Sequence, residues 1–339
     1  MKVLMWTNIP FFLAHGGVQT HMDNLLRYLP EFGVEAEPMR WWDQTQRGDL
    51  IHAITRPETA VVRMAHEKGM KFVMSDILDV TASRSDFQLF LQKSLSRAAK
   101  LLVGGLTGRM NWEVYQEVDA LVFVLLREQK VAEYLFDAPP ERCHVINHAV
   151  EPEALDQLAQ AEAEGEHLIS VATIAPRKNT LVLARAAIEA QVPIVFLGKP
   201  YAEDDPYFLE FKKLVDGKYV HYPGFVSREE KYRLLRSARG FCLLSLGETG
   251  CIAIHEASAA GLPLFLSDLP WARHGYTGAK RPLTFVDPSQ PRAVVEALRA
   301  FHQQSHRQPH HTFPVQSWRD VAKQYAQVYK MVLEQKSNP

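Results

Sequence analysis

The sequence predicts an α/β protein of two domains, each a parallel sheet wound with helices. Three observations carry this. Short apolar runs alternate with amphipathic stretches along the chain, the pattern of repeated βαβ units. At 339 residues the chain is long enough for two domains with separate cores. The stretch 241–268, FCLLSLGETGCIAIHEASAAGLPLFLSD, reads as strand, loop, helix and strand, with Glu248 on the loop and Glu256 in the helix.

The first domain is expected over residues 1–150. Residues 2–7 form a compact apolar strand, followed by a loop to Gly17 and a helix with Val18, Met22, Leu25, Leu26 and Leu29 on one face. Gly16 and Gly17 sit where strand hands over to helix, so backbone can approach a ligand there with no Cβ in the way. The helix start favours negative charge. Residues 49–54 and 71–74 read as strands around a helix at 57–68, and Ser75-Asp76 follows the second of them. Residues 87–102 are amphipathic and basic, with Lys93, Arg97 and Lys100 beside Leu91, Leu95 and Leu102. We read them as a solvated face over a core stripe, in preference to a helix resting on an anionic membrane. Trp41-Trp42 reads equally as core or as a platform for an acceptor. A strand at 119–126, a helix at 127–136 and a strand at 143–150 close the domain.

The second domain is expected over 151–316. After a surface helix or linker at 157–166, a strand at 168–172 leads into TIAPRKN, residues 173–179. Arg177 and Lys178 at a strand end suit a diphosphate leaving group, since fixed cations neutralise charge growing on a departing oxygen. A strand at 192–197 ends in Gly198-Lys199, making Lys199 a second candidate for phosphate. The acids Glu203, Asp204 and Asp205 precede a helix start and read as capping residues, not a metal cluster. Ser227 begins a capping box after a strand at 220–226. At the next helix, expected over 251–260, the amides of Gly250, Cys251 and Ile252 are unpaired donors suited to a phosphate. The nearby carboxylates suit sugar or ribose hydroxyls. A strand at 283–288 and a helix at 291–302 follow. His302, His306, His310 and His311, with Pro309, read as a polar connector rather than a metal site. A last helix at 317–335 carries Val321, Tyr325, Val328, Tyr329 and Val332 on one face.

Composition excludes other classes. Apolar residues make up 47% and charged residues 23%, as in soluble globular proteins, and a net charge of -1 gives no case for nucleic acid. The three cysteines, Cys143, Cys242 and Cys251, are odd in number and far apart, which argues against a disulfide framework and fits a cytoplasmic protein. No run of 18 apolar residues is present, and the N-terminus lacks a signal-peptide pattern.

The spacing of Glu248 and Glu256, followed by EASAAGLPLFLSD, resembles the donor-site signature of retaining, nucleotide-sugar-dependent glycosyltransferases of family 4. Their fold is GT-B, two Rossmann-like parallel-sheet domains facing a central cleft. GGVQTH resembles the glycine loop of this family, most closely that of the phosphatidylinositol mannosyltransferases. The resemblance implies that Glu248 orients a hexose, Glu256 holds ribose hydroxyls, and Lys178 with the 250–252 amides binds the diphosphate. It implies further that Gly16 and Gly17 approach the donor, Gln19 faces the acceptor, and Asp76 contacts acceptor or sugar. A helix-capping role for Asp76 stands equally open.

Departures are visible. Ser75 stands where the family has histidine, and Thr173 stands at the arginine position, with Arg177 the neighbouring substitute. Thr249-Gly250-Cys251 replaces Gly-Phe-Gly. The implied reaction moves a hexose from a UDP- or GDP-sugar to a glycan, lipid-linked or small-molecule acceptor, with no metal and no cofactor beyond the donor. Lipid-linked acceptors would bring peripheral contact with a membrane, and the 317–335 helix is implied to pack back on the first domain. A sugar-nucleotide 2-epimerase on the same fold and a non-catalytic sugar-nucleotide-binding subunit stay open as alternatives.

Overall fold

In the computed structural model the described residues are 1–8, 10–12, 16–102, 112–160, 162–163, 165–276, 279, 283–308 and 310–335. Pro309 and the side chains of Lys100 and Leu102 lie outside them. The chain divides into two compact units, Met1–His148 with Trp318–Pro339, and Ala149–Ser317.

The first unit is a sheet of six parallel strands: β1 (Lys2–Trp6), β2 (Glu35–Pro38), β3 (Leu50–Ile54), β4 (Lys71–Ser75), β5 (Ala120–Phe123) and β6 (Cys143–Val145). Their order is β2-β1-β3-β4-β5-β6. Strands covered on both faces have no need of alternation, which is why β3 and β5 are buried at every residue and read as continuous runs. Successive strands switch from one side of β1 to the other between β2 and β3, and beside that point Asn8 Nδ2 donates to Arg56 O (2.9 Å).

The second unit holds β7 (Leu168–Val171), β8 (Ile194–Leu197), β9 (Val220–Gly224), β10 (Gly240–Leu243), β11 (Leu264–Ser267) and β12 (Thr284–Val286). All pair in parallel in the order β12-β11-β10-β7-β8-β9. Counted from β7, this is the 3-2-1-4-5-6 order of dinucleotide-binding sheets, with its switch point between β7 and β10. Two apolar clusters cover the sheet, one with Ile169, Phe241, Leu264 and Trp271, the other with Leu168, Phe196, Phe211 and Phe265.

Locally coded features appear where the sequence puts them. Asp205 caps helix Pro206–Leu214 by accepting from the Tyr207 and Phe208 amides (2.8 and 3.2 Å), and Ser227 caps Arg228–Ser237 through the Glu230 amide. The surface helix or linker expected at 157–166 is replaced by a helix that begins earlier and spans Pro152–Ala159, because Pro152 can open a helix but not continue one.

Two helical faces differ from expectation. Helix Gly17–Tyr28 buries His21, Met22, Asn24, Leu25 and Tyr28, while Val18 and Leu26 are only half-buried. On its inner face His21 meets the rings of His148, Trp318 and Tyr325 edge-on, and Asn24 Nδ2 donates to Thr20 O within the helix (2.8 Å). In helix Asp86–Leu102 the stripe is exposed instead of core: Phe87, Phe90, Leu91 and Leu95 are 74, 58, 50 and 63% exposed, and Leu89 is the residue buried. Trp42 is also exposed, while Trp41 packs edge-on to Trp6 (5.6 Å) and remains mostly accessible. Among the described residues no helix is long and apolar enough to cross a membrane.

The first unit contains a buried polar seam. His52 on β3 shares hydrogen bonds with Ser75 Oγ (2.8 Å) and with the Tyr329 hydroxyl (2.8 Å), and Ser75 bonds the Tyr325 hydroxyl (3.1 Å). His21 lies edge-on to Tyr325 and Trp318. This seam fastens helix Trp318–Glu334 to the sheet. Burial holds His52 down to about 3 and His21 well below the ordinary imidazole value.

Both imidazoles are therefore neutral when folded and free to protonate when unfolded. Their contribution is fully present above about pH 6.5 and is lost as the pH falls towards the folded values. Between pH 7.5 and 5, His52 alone should account for about 2 kcal/mol of lost stability. Thermal unfolding of His52→Gln should show a correspondingly shallower acid slope; an unchanged slope would contradict the assignment.

Candidate functional site

The loops that leave β7 and β10 meet at the switch point of the second sheet. Residues 244–246, expected to continue a strand over 241–246, leave the ladder after Leu243, and the backbone there bonds the 173–179 loop instead. The Leu246 amide donates to Arg177 O (2.8 Å), and Ser245 Oγ lies within hydrogen-bond distance of Arg177 O and Gly247 O (3.1 and 3.0 Å). Trp271 Nε1 donates to Ser245 O (3.2 Å), fixing the loop from below.

This zipper sets two side chains face to face. Lys178 Nζ donates to Glu248 Oε1 at 2.5 Å, and Arg177 lies 3.5 Å from Glu248 Oε2 while donating to Gly247 O (2.5 Å). Glu248 is 4% exposed, so its charge is tolerable only with such partners. An ammonium has three donors, and this contact uses one.

Next along the chain, Gly250 adopts φ +52°, a left-handed conformation suited to glycine, and turns the backbone into helix Ile252–Ala259. The amides of Gly250 and Ile252 have no acceptor among the described residues. Thr249 Oγ1 is buried there without a partner. Cys251 is the N-cap residue and makes no side-chain cap; burial pushes its thiol up, against the pull of Lys178, so it is a neutral thiol at neutral pH. Glu256, 6% exposed, receives Lys231 Nζ at 2.6 Å. Each of the two glutamates thus has its own lysine.

Thr173 is half-buried at the end of β7. Lys199 is exposed, its ammonium 5.5 Å from the Phe225 ring centroid, and its carbonyl accepts from the Ile174 amide (3.2 Å). Gly198 makes that junction possible, since a Cβ there would stand 2.0 Å from Ala172 O at φ +138°.

The remaining sequence candidates lie in the first unit. Gly16 has φ +146° and caps helix Gly17–Tyr28, Gly17 is exposed, and Gln19 is half-buried. Ser75 belongs to the seam with His52 and Tyr325. Asp76 is 5% exposed and bonds Arg56 (3.0 Å), the Tyr115 hydroxyl and the Ile77 amide (2.9 Å). Although burial opposes it, Asp76 holds the Arg56 guanidinium above its usual value.

Sequence reasoning missed Arg56, Tyr115, Lys231 and Glu128. Glu128 is fully buried and accepts from the Leu78 and Leu125 amides (both 3.0 Å), tying the loops after β4 and β5 together. Only an acid three residues into a helix hinted at it.

Residues 154–312 match the family model described as Glycosyl transferases group 1. Among solved structures, the chain is similar to sucrose-phosphate synthase of Thermosynechococcus elongatus (14% identity, 98% of each chain, TM-score 0.67). It is also similar to Anabaena HepE in complex with UDP and glucose (13% identity, 98% of this chain and 100% of that one, TM-score 0.64). A third is WaaG, a glycosyltransferase involved in lipopolysaccharide biosynthesis (12% identity, 100% of each chain, TM-score 0.59). No curated protein sequence matches. The two parallel six-stranded sheets are the GT-B fold, and the group 1 match covers the Lys178–Glu248 site. Fold and match together define a glycosyltransferase.

Removing one member of a buried pair leaves the other charge stranded. Lys178→Met should cost the second unit about 2–4 kcal/mol, the lower end reflecting help from Arg177. Lys178→Met combined with Glu248→Gln should cost at least about 1 kcal/mol less than the sum of the singles, by hydrogen exchange of the second unit. Additive losses would show that the pair is not coupled.

Proposed function

We propose that the chain is a retaining, metal-independent hexosyltransferase of family 4 that uses a UDP- or GDP-sugar. The observation that carries this is the Lys178–Glu248 contact beside the open N-terminus of helix Ile252–Ala259, at a sheet switch point. A diphosphate is received by the free amides and by the remaining donors of Lys178, with Arg177 and Lys199 adding charge. These cations neutralise the leaving group, the task a metal would otherwise perform. Glu248 accepts from hexose hydroxyls and Glu256 from the ribose. Thr249 adds a hydroxyl beside the sugar.

A neutral Cys251 gives no thiolate nucleophile. The reading is front-face attack, in which a donor phosphate oxygen takes the acceptor proton, as the family resemblance implies. The acceptor is assigned mainly to the first unit, near Gly17, Gln19 and Asp76. Asp76 acts there through its Arg56 and Tyr115 partners, not as a lone base. The HepE complex with UDP and glucose supports a uridine donor.

Glu248→Gln should lower transfer by about 100-fold or more while changing the affinity for UDP or GDP less than threefold. Full turnover in that variant would remove Glu248 from the sugar. Incubation with donor alone should give no epimerised sugar nucleotide.

A lipid-linked acceptor and peripheral membrane contact are supported by the exposed stripe of Phe87, Phe90, Leu91 and Leu95 with Arg97 on the same helix. Sedimentation with vesicles containing phosphatidylglycerol should be lost in Leu91→Glu/Leu95→Glu. Equal sedimentation of variant and parent would contradict a membrane role for this face.

A further inference from the structure

Helix Ile252–Ala259 is built of small and apolar residues apart from His255, Glu256 and Ser258. Its glutamate is answered by a lysine from a different element, helix Arg228–Ser237. Lys231 Nζ stands 2.6 Å from Glu256 Oε1, with side-chain exposures of 25% and 7%. The lysine is itself held: its amide donates to Ser227 O (2.9 Å), and its ammonium lies 5.0 Å from the Tyr232 ring centroid. The other oxygen, Glu256 Oε2, has no hydrogen-bond partner among the described residues, and it is not sealed among the unpartnered buried atoms.

The result is a carboxylate with one oxygen clamped and one left open. Stability alone gives little reason for it, because a buried ion pair is commonly matched or exceeded by apolar packing of similar volume. A ligand gives a better reason. A vicinal diol donates two hydrogen bonds and needs an ionised, oriented acceptor. The lysine supplies the orientation: an ammonium fixed on Oε1 restricts the torsions of Glu256 and leaves Oε2 as the acceptor without a protein partner among the described residues.

We propose that Lys231 is a positioning residue for the donor nucleoside: it presents Glu256 to the ribose diol and so sets a preference for ribonucleotides over 2′-deoxyribonucleotides. This rests on the reading of Glu256 as the ribose contact. Lys231 does not touch the reacting atoms; its effect passes through Glu256.

The test is titration calorimetry of the full chain with UDP, 2′-deoxy-UDP, GDP and 2′-deoxy-GDP, comparing each ribonucleotide with its deoxy form. The parent should prefer the ribo form of its base by about 10-fold or more, the worth of hydrogen bonds to a charged group. Lys231→Met should bind the deoxy form within threefold of the parent while its preference collapses to threefold or less. Lys231→Arg should restore the preference. General damage to the fold would weaken both forms together, and that result, or a preference intact in Lys231→Met, overturns the proposal. Glu256→Gln separates the two layers. If the parent binds neither base, shows no preference, or keeps it in Glu256→Gln, the ribose reading of Glu256 fails and the proposal with it. If Glu256→Gln loses the preference but Lys231→Met keeps it, only the role of Lys231 fails.

Discussion

The contact between Lys178 and Glu248 is the constraint on which the rest of the second unit turns. Burying a carboxylate is costly unless an opposite charge and hydrogen bonds accompany it. The cation comes from a loop 70 residues earlier in the chain, so both loops must be fixed with little slack. Parallel pairing of β7 with β10 brings the two strand ends side by side. The Leu246–Arg177 backbone bond, the Ser245 hydroxyl and Trp271 then lock the loops together. What remains outward is a set of donors, free amides and spare ammonium hydrogens, next to a carboxylate with acceptor capacity left. That mixture suits a molecule carrying both phosphate and hydroxyls.

The first unit solves a different problem. Its C-terminal helix returns from a distant part of the sequence and is fastened by polar contacts as well as packing: Tyr325 and Tyr329 reach Ser75 and His52 across a buried seam. Ser75 therefore earns its place as a fastening rather than as a reacting group. Asp76, one residue on, is drawn into an ion pair with Arg56 and a bond to Tyr115. The two residues at the end of β4 thus face separate partners, and Asp76, held by a guanidinium and a phenol, is fixed in orientation.

Much of this was legible in the chain itself. Strands such as LIHAI and ALVF announce themselves because both sheet faces are covered, and Asp205 and Ser227 because caps are made within three residues of the helix start. The Glu248 to Ile252 turn was readable for the same reason, being local. What could not be read are pairings set by topology: Lys231 with Glu256, Arg56 with Asp76 and Tyr115, and the His52 seam join residues 20 to 277 positions apart. Periodicity also misjudged two helices. In Gly17–Tyr28 the inner face carries His21 and Asn24 beside Met22, Leu25 and Tyr28, and in Asp86–Leu102 apolar residues face outward. A hydrophobic stripe signals a covered face without saying what covers it.

The most direct measurement is a crystal structure of the chain with its sugar nucleotide, or with UDP or GDP. The diphosphate should lie within hydrogen-bond distance of Lys178 Nζ and the Gly250 and Ile252 amides, the hexose against Glu248, and the ribose on Glu256 Oε2. A nucleotide bound elsewhere on the chain, with Lys178 and Glu248 untouched by it, would contradict the account at its root.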